Sequence, residues 1–263
     1  MTSDIKFSVS LHPSKNYIGL VWNEFFLSRG RGVLIEKHFP WLFDIRSDVH
    51  IVEIYVSGEF AGGLSLVIDR SEVDTARIGL VCIDNKFRGL GLSRVLLEKT
   101  IDVSKEFGLK GVVLWTSKQG VYLKSGFEVI DNNVVIDISL PYFKGFSEPC
   151  ILAEWDIQIP PFADTCYKYS QGDNSIYLVK GRLGYCLYHY IGCDQDVLSM
   201  LNSLSFNKLT LHLNKNSTLL GLIREKVNII SESNSDSQMW LTWSDLLTSN
   251  SEELNKYTFS DRI

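Results

Sequence analysis

Residues 83–99 read IDNKFRGLGLSRVLLEK, an apolar strand handing over to a helix through a turn with two glycines. Glycine is a poor residue inside either element, so Gly89 and Gly91 need a reason. The first turn of a helix carries unpaired N–H groups and the positive end of the helix dipole. A glycine-rich turn ahead of it aims those groups into one concavity. Arg88, Gly89, Leu90, Gly91, Leu92 and Ser93 have this build, with cationic charge at Arg88 and Arg94 and a small hydroxyl at Ser93. The chemistry it suits is the binding of a phosphate or pyrophosphate. A ligand-free strand-to-helix turn uses the same residues, and the loop alone does not separate the two. The spacing does not fit the G-x-G-x-x-G dinucleotide pattern, which also needs an acidic residue ending a second strand.

The elements that would position this loop are legible in outline. Residues 5–11 alternate as a strand, and 15–29 carry apolar residues at helical spacing. Gly30 and Gly32 break that helix, and a second short one ends at Pro40. Residues 49–69 read as a hairpin turning at Ser57-Gly58, and 76–83 as a strand. A helix follows over 92–107, with Leu92, Val95, Leu96, Val103 and Phe107 near one face and Gly108 ending it. Then come a buried strand over 111–116, a short helix closed by Gly126, and strands at 127–130 and 134–140 that complete the sheet. The order is β, α, α, β, β, β, α, β, α, β, β, a mixed α/β plan.

Residues 141–150 read as a linker. Beyond it a second hairpin spans 175–192, followed by a helix, a strand, a helix and two strands, with the Ser-rich 231–237 as a loop. Residues 54–68 echo 176–191, and 112–130 echo 209–230, which suggests an internal repeat. The second copy is shortened at its front, and its turn, IGCDQDVLS, lacks the glycine loop. The expected domains are 1–149 and 150–263.

Composition narrows the classes. The chain has 263 residues, a formal net charge of −5 and 45% hydrophobic residues, as expected of one large or two small globular domains. The balance argues against a nucleic-acid partner. Five cysteines without a CxxC pair, and histidines without i, i+4 spacing, argue against a disulfide framework or a metal site. No apolar run is long enough to span a bilayer and the first residues lack a signal-peptide design, so no membrane partner and a cytoplasmic location are expected.

The loop resembles the [RQ]xxGx[GA] loop of the GNAT acyltransferases, with Ser93 in place of the final small residue. The preceding Ile83-Asp84-Asn85-Lys86-Phe87-Arg88 is similar to the family's VxPxYR, with Asn85 in the proline position. Tyr122-Leu123-Lys124-Ser125-Gly126-Phe127 looks like the family's YxKxGF, one helix, one strand and one short helix downstream. The resemblance covers about residues 1–140. It implies a GNAT fold followed by a smaller, degenerate GNAT-like domain. It implies acetyl-CoA or another short acyl-CoA as co-substrate, no metal, a small-molecule amine acceptor and a homodimer. It places the pyrophosphate on residues 88–94 and the thioester beside Val81, Cys82 and Ile83, where the strand splays from its neighbour.

The chemistry follows. An amine must lose a proton before it attacks, strand N–H groups near Cys82 stabilise the oxyanion, and the departing sulfur needs a proton. Tyr122 matches the family position for that acid; packing against the cofactor arm is its other reading. Cys82 reads as a small apolar strand residue rather than a nucleophile. The base is not legible among Glu53, Glu59, Asp69, Asp74 and His50, and positioning supplies much of the rate without one. The aromatic run Trp22, Phe25, Phe26, His38, Phe39, Trp41 and Phe43, with Asn23, is either core or an acceptor surface suited to sugars and nucleobases. An N-acyltransferase acting on a nucleotide-linked amino sugar is the substrate reading, with aminoglycosides, polyamines, protein amines and a non-catalytic acyl-CoA sensor as alternatives.

Overall fold

The computed structural model describes residues 4–30, 34–44, 48–69, 74–130, 133–140, 151–157, 160, 163–204, 206–234 and 237–243. The expected linker at 141–150 lies outside them. The chain divides into two compact units, Met1–Ile130 with Gln238–Ile263, and Asp131–Ser237.

The first unit opens with β1 (Ile5–Ser10) and α1 (Lys15–Phe25). Ser14 starts α1 by accepting a hydrogen bond from the Tyr17 N–H at 3.1 Å. The short α2 (Ile35–His38) follows. The hairpin β2 (Val49–Val56) and β3 (Glu59–Asp69) turns at Ser57-Gly58, both at positive φ, the two-residue turn that matches strand twist. β4 (Thr75–Ile83), α3 (Leu92–Glu106), β5 (Gly111–Thr116), α4 (Gln119–Leu123) and the short β6 (Glu128–Val129) complete the run. α3 buries Leu92, Leu96, Leu97, Thr100, Val103 and Ser104 against β2, β3, β4 and β5, while α1 packs on β3 and β4.

The second unit holds β7 (Asn133–Leu140), β8 (Ile151–Ala153), β9 (Thr165–Gln171), β10 (Asn174–Gly181), β11 (Gly184–Ile191), α5 (Asp194–Ser203), β12 (Phe206–Asn214), α6 (Thr218–Lys226) and β13 (Asn228–Asn234). The chain then returns as β14 (Ser237–Thr242).

The first sheet has the order β1-β2-β3-β4-β5-β14-β6, and the second β13-β7-β12-β11-β10-β9-β8. Read from β1 and from β8, they have the same plan. Each contains a parallel pair, β4 with β5 and β11 with β12, bridged by a helix. A repeat is present in this order, and residues 112–130 correspond to 209–230 as expected, but the counterpart of the β2–β3 hairpin is β9–β10 rather than the expected 176–191, which is β10–β11. Among the described residues the second copy has no counterparts of α1 and α2.

Three expectations change. Residues 134–140 do not complete the first sheet: β7 pairs with β12 and β13 in the second. The first sheet instead takes β14, which pairs with β6. The units therefore divide near 130 and 238 rather than at 149/150. The Ser-rich 231–237 is mostly strand, because Ser231 and Ser233 pair with Asp137 and Val135 of β7. No helix among the described residues is long and apolar enough to cross a membrane.

Candidate active site

β4 and β5 pair only over Thr75–Gly111, Ala76–Val112 and Arg77–Val113. β4 then runs six residues further without a described partner on that side, so the sheet opens at its β4 edge. A bulge sharpens the opening. The β3–β4 register shifts between Gly63–Cys82 and Ser65–Gly79, and Leu80, inside the shift, has φ 49°. That conformation is costly for a residue with a Cβ, so something must hold it. The hydroxyl of Tyr17 donates to the Leu80 carbonyl at 3.0 Å. Tyr17 is fully buried, and burial raises its pKa well above 10, so it remains a donor. Its ring needs Gly63: a Cβ there would lie 2.9 Å from Tyr17. The sequence gives one signal for this arrangement, the Gly62-Gly63 pair inside a strand.

At the end of β4 the backbone orientation is fixed. The Asp84 N–H donates to the Ala61 carbonyl of β3 at 2.9 Å. N–H and C=O groups alternate sides along a strand, so those of Ile83 face the open edge. A short turn over 85–87 follows, begun by Asp84, whose side chain accepts from the Lys86 N–H.

The loop then enters α3 through Gly89 (φ 82°) and Gly91 (φ 74°). Neither is required by packing, since a Cβ on either would meet nothing within 4 Å. They supply the left-handed turns and leave the space above the backbone clear. No side chain caps α3, and its first turn carries no acidic residue, so the positive helix end faces that space. These residues fit a pyrophosphate: backbone N–H groups of residues 89–93 would hold it, with the clearance that two glycines provide. Leu90 is exposed. The two loop arginines are engaged elsewhere. Arg94 bonds Glu98 at 2.8 Å along the helix surface, and the Arg88 guanidinium lies on Glu24 at 2.8 Å and on the Ile83 carbonyl at 2.9 Å.

Cys82 and Tyr122 come together. Cys82 is buried, and its thiol is pushed up to about 12 by burial, with a further contribution from Glu24. It is a neutral thiol at ordinary pH, as its reading as a strand residue expects. Tyr122, on α4, packs edge-on against Phe127 with ring centres 5.9 Å apart. Burial raises its pKa, and a charge on Cys82 would raise it further. Val81 and Ile83 are half-buried beside the same core.

The other expected groups have structural partners. Glu53 is buried and accepts from the Ser14 N–H and the Tyr55 hydroxyl. Glu59 pairs with Lys86, and Asp74 with Lys110. His50 packs on Phe107, and the Asp69 side chain lies outside the described residues. The aromatic run is core at its centre: Phe26, His38 and Phe39 are buried, with His38 tilted against the Phe26 ring and Phe39 edge-on to it. A groove of about 570 Å³ lies instead between the outer stripe of α1 (Asn16, Gly19, Leu20, Asn23), the hairpin turn (Gly58, Glu59, Phe60) and Asp84 and Lys86. Of the expected acceptor residues only Asn23 lines it.

A splayed parallel pair, a bulged strand with a free edge and a glycine loop opening an uncapped helix define the class of acyl-CoA-dependent acyltransferases. Residues 18–127, all within the first unit, match the model of the acetyltransferase (GNAT) family. Two GCN5-related N-acetyltransferases have similar folds. The structure from Anabaena variabilis ATCC 29413 is 17% identical, with a TM-score of 0.66 over 89% of this chain and 72% of that one. The structure from Kribbella flavida is 11% identical, with a TM-score of 0.65 over 92% and 71%. Eis1 from Mycobacterium abscessus is 13% identical, with a TM-score of 0.62 over 92% and 73%. These matches span both units. No curated protein matches the chain in sequence.

Proposed function

We propose that the chain transfers an acetyl or other short acyl group from coenzyme A directly to a primary amine, with one working site in the first unit. The observation that carries this is the uncapped, glycine-opened start of α3 beside the free edge of β4, with Tyr122 at the same edge. When bound, acyl-CoA supplies an activated thioester. The Leu80 bulge and the Val81–Ile83 backbone line the opening, where N–H groups can meet developing negative charge. Tyr122 holds the proton for the departing sulfur. Cys82 forms no bond.

The acceptor class is the amine of an amino sugar, including nucleotide-linked ones. Its support is the groove beside β4, whose Asn16 and Asn23 amides and Phe60 ring are groups that hold hydroxyls and a sugar face; its carboxylates, Glu59 and Asp84, are bonded to Lys86. The second unit serves as a non-catalytic partner. The first turn of α5 carries Asp194 and Asp196, which repel a phosphate there, and a Cβ at Gly192 would strike Asn174.

The test is free-thiol release from acetyl-CoA and longer acyl-CoAs with pooled amines that include nucleotide-linked amino sugars. Acceptor-dependent release that falls at least about 100-fold in Tyr122→Phe is expected. Coenzyme A binding without release from any pool would favour a sensor.

A further inference from the structure

Glu24 is an unusual carboxylate. It stands in the last turn of α1, where the helix dipole disfavours an anion, and that turn has no basic residue of its own. Its ion pair with Arg88, whose guanidinium also bonds the Ile83 carbonyl, puts it at the end of β4, where transfer would occur. Its neutralising partner comes from the phosphate loop. One Arg88 guanidinium bridges the Glu24 carboxylate at 2.8 Å and, through Nε at 2.9 Å, the Ile83 carbonyl. That carbonyl faces the open edge, where an incoming amide chain would need an acceptor. Arg29 is the other cation close enough to act on Cys82, and its guanidinium lies over the Phe25 ring at 5.5 Å.

Arg88 therefore occupies two positions that the reaction needs. The ion pair is half-exposed on the arginine side, and such pairs are weak. A guanidinium prefers the fork geometry and double charge of a phosphate, and Arg88 is the residue that leads into the phosphate loop. We propose that Glu24 is the carboxylate that receives the acceptor's ammonium group, and that Arg88 covers it until the phosphates of acyl-CoA draw the guanidinium away. The same movement frees the Ile83 carbonyl. Glu24 thus selects a cationic acceptor, and it does so only in the loaded enzyme. This rests on the acyltransferase reading above.

The test is calorimetry on the full chain, with coenzyme A titrated first and glucosamine, as the ammonium probe, titrated into the loaded and unloaded protein. Glu24→Gln releases Arg88 and is expected to tighten coenzyme A about 3–10-fold while weakening glucosamine at least about tenfold. Glu24→Asp, which restores the charge, should move both values back towards wild type. A residue that only supported the fold would weaken both ligands together. Unchanged or weaker coenzyme A binding in Glu24→Gln overturns the covering role of Arg88. Glucosamine that fails to bind loaded wild type, or binds loaded and unloaded protein equally, overturns the ammonium role. Wild type that binds no coenzyme A overturns the acyltransferase reading itself, and is told apart because every variant is then silent.

Discussion

Burial acts on Tyr122 and Cys82 in the same direction, with different consequences for a phenol and a thiol. Both pKa values are raised, so both side chains keep their protons. In the proposed transfer the phenol is then an acid available across the working range, and the thiol is no nucleophile. Rate should rise with pH while the acceptor amine loses its proton. The alkaline fall, which follows loss of the Tyr122 proton, should lie above the ordinary tyrosine value of about 10. Tyr122→Phe should remove that fall with the activity and leave coenzyme A affinity within about threefold. Cys82→Ala should keep turnover within about tenfold, the loss being one of packing, and mass spectrometry should find no acyl group on the wild-type chain. A large loss of rate in Cys82→Ala without a loss of stability would contradict direct transfer. The glycine turn into α3 and the short helix that carries Tyr122 were legible in the sequence because each sits in a short local motif. The engagement of Arg88 was not, since its partner Glu24 is remote in sequence and any exposed arginine has several possible partners.

At the scale of elements, the opening depends on a bulge that one hydroxyl holds. Tyr17 looks like an ordinary apolar position of α1, and helical periodicity cannot reveal that its oxygen reaches a strand carbonyl. Tyr17→Phe keeps the ring over Gly63 and deletes only that hydrogen bond. It should cost about 1–2 kcal/mol of stability, the worth of a buried hydrogen bond with its acceptor left unpaired. Leu80 should then relax from its positive φ, re-aiming the N–H groups that follow. Acyl transfer should fall by more than coenzyme A binding, because the pyrophosphate loop lies beyond the bulge. Equal losses in both would mean that Tyr17 supports the unit as a whole. Alternation along 134–140 correctly shows which side chains share a face. It cannot show which strand lies alongside, because every strand with a matching pattern offers a compatible neighbour. That is why β7 was expected in the first sheet.

At the scale of the molecule, the chain crosses between units twice, and each crossing fills the same place in a sheet. β14 stands between β5 and β6, and β7 stands between β12 and β13. A cut after the expected first domain would therefore remove an interior strand. Residues 1–149 lack Met239, which is fully buried in the core beneath α3, and Trp240, which is 1% exposed against Val113. They also lack Trp243, whose indole N–H donates to the Leu109 carbonyl at 2.6 Å. They retain β7, whose pairing partners are gone, as an unpaired apolar strand and an aggregation hazard. The 1–149 fragment should be insoluble or unfolded, and should bind no coenzyme A. In the full chain, Trp240→Ala should cost about 3–5 kcal/mol, read as an early thermal transition that saturating coenzyme A moves upward. A soluble 1–149 fragment that binds coenzyme A would show that the first unit can close without β14. The second unit would then be dispensable for the fold, leaving the acceptor side of the reaction as its remaining role.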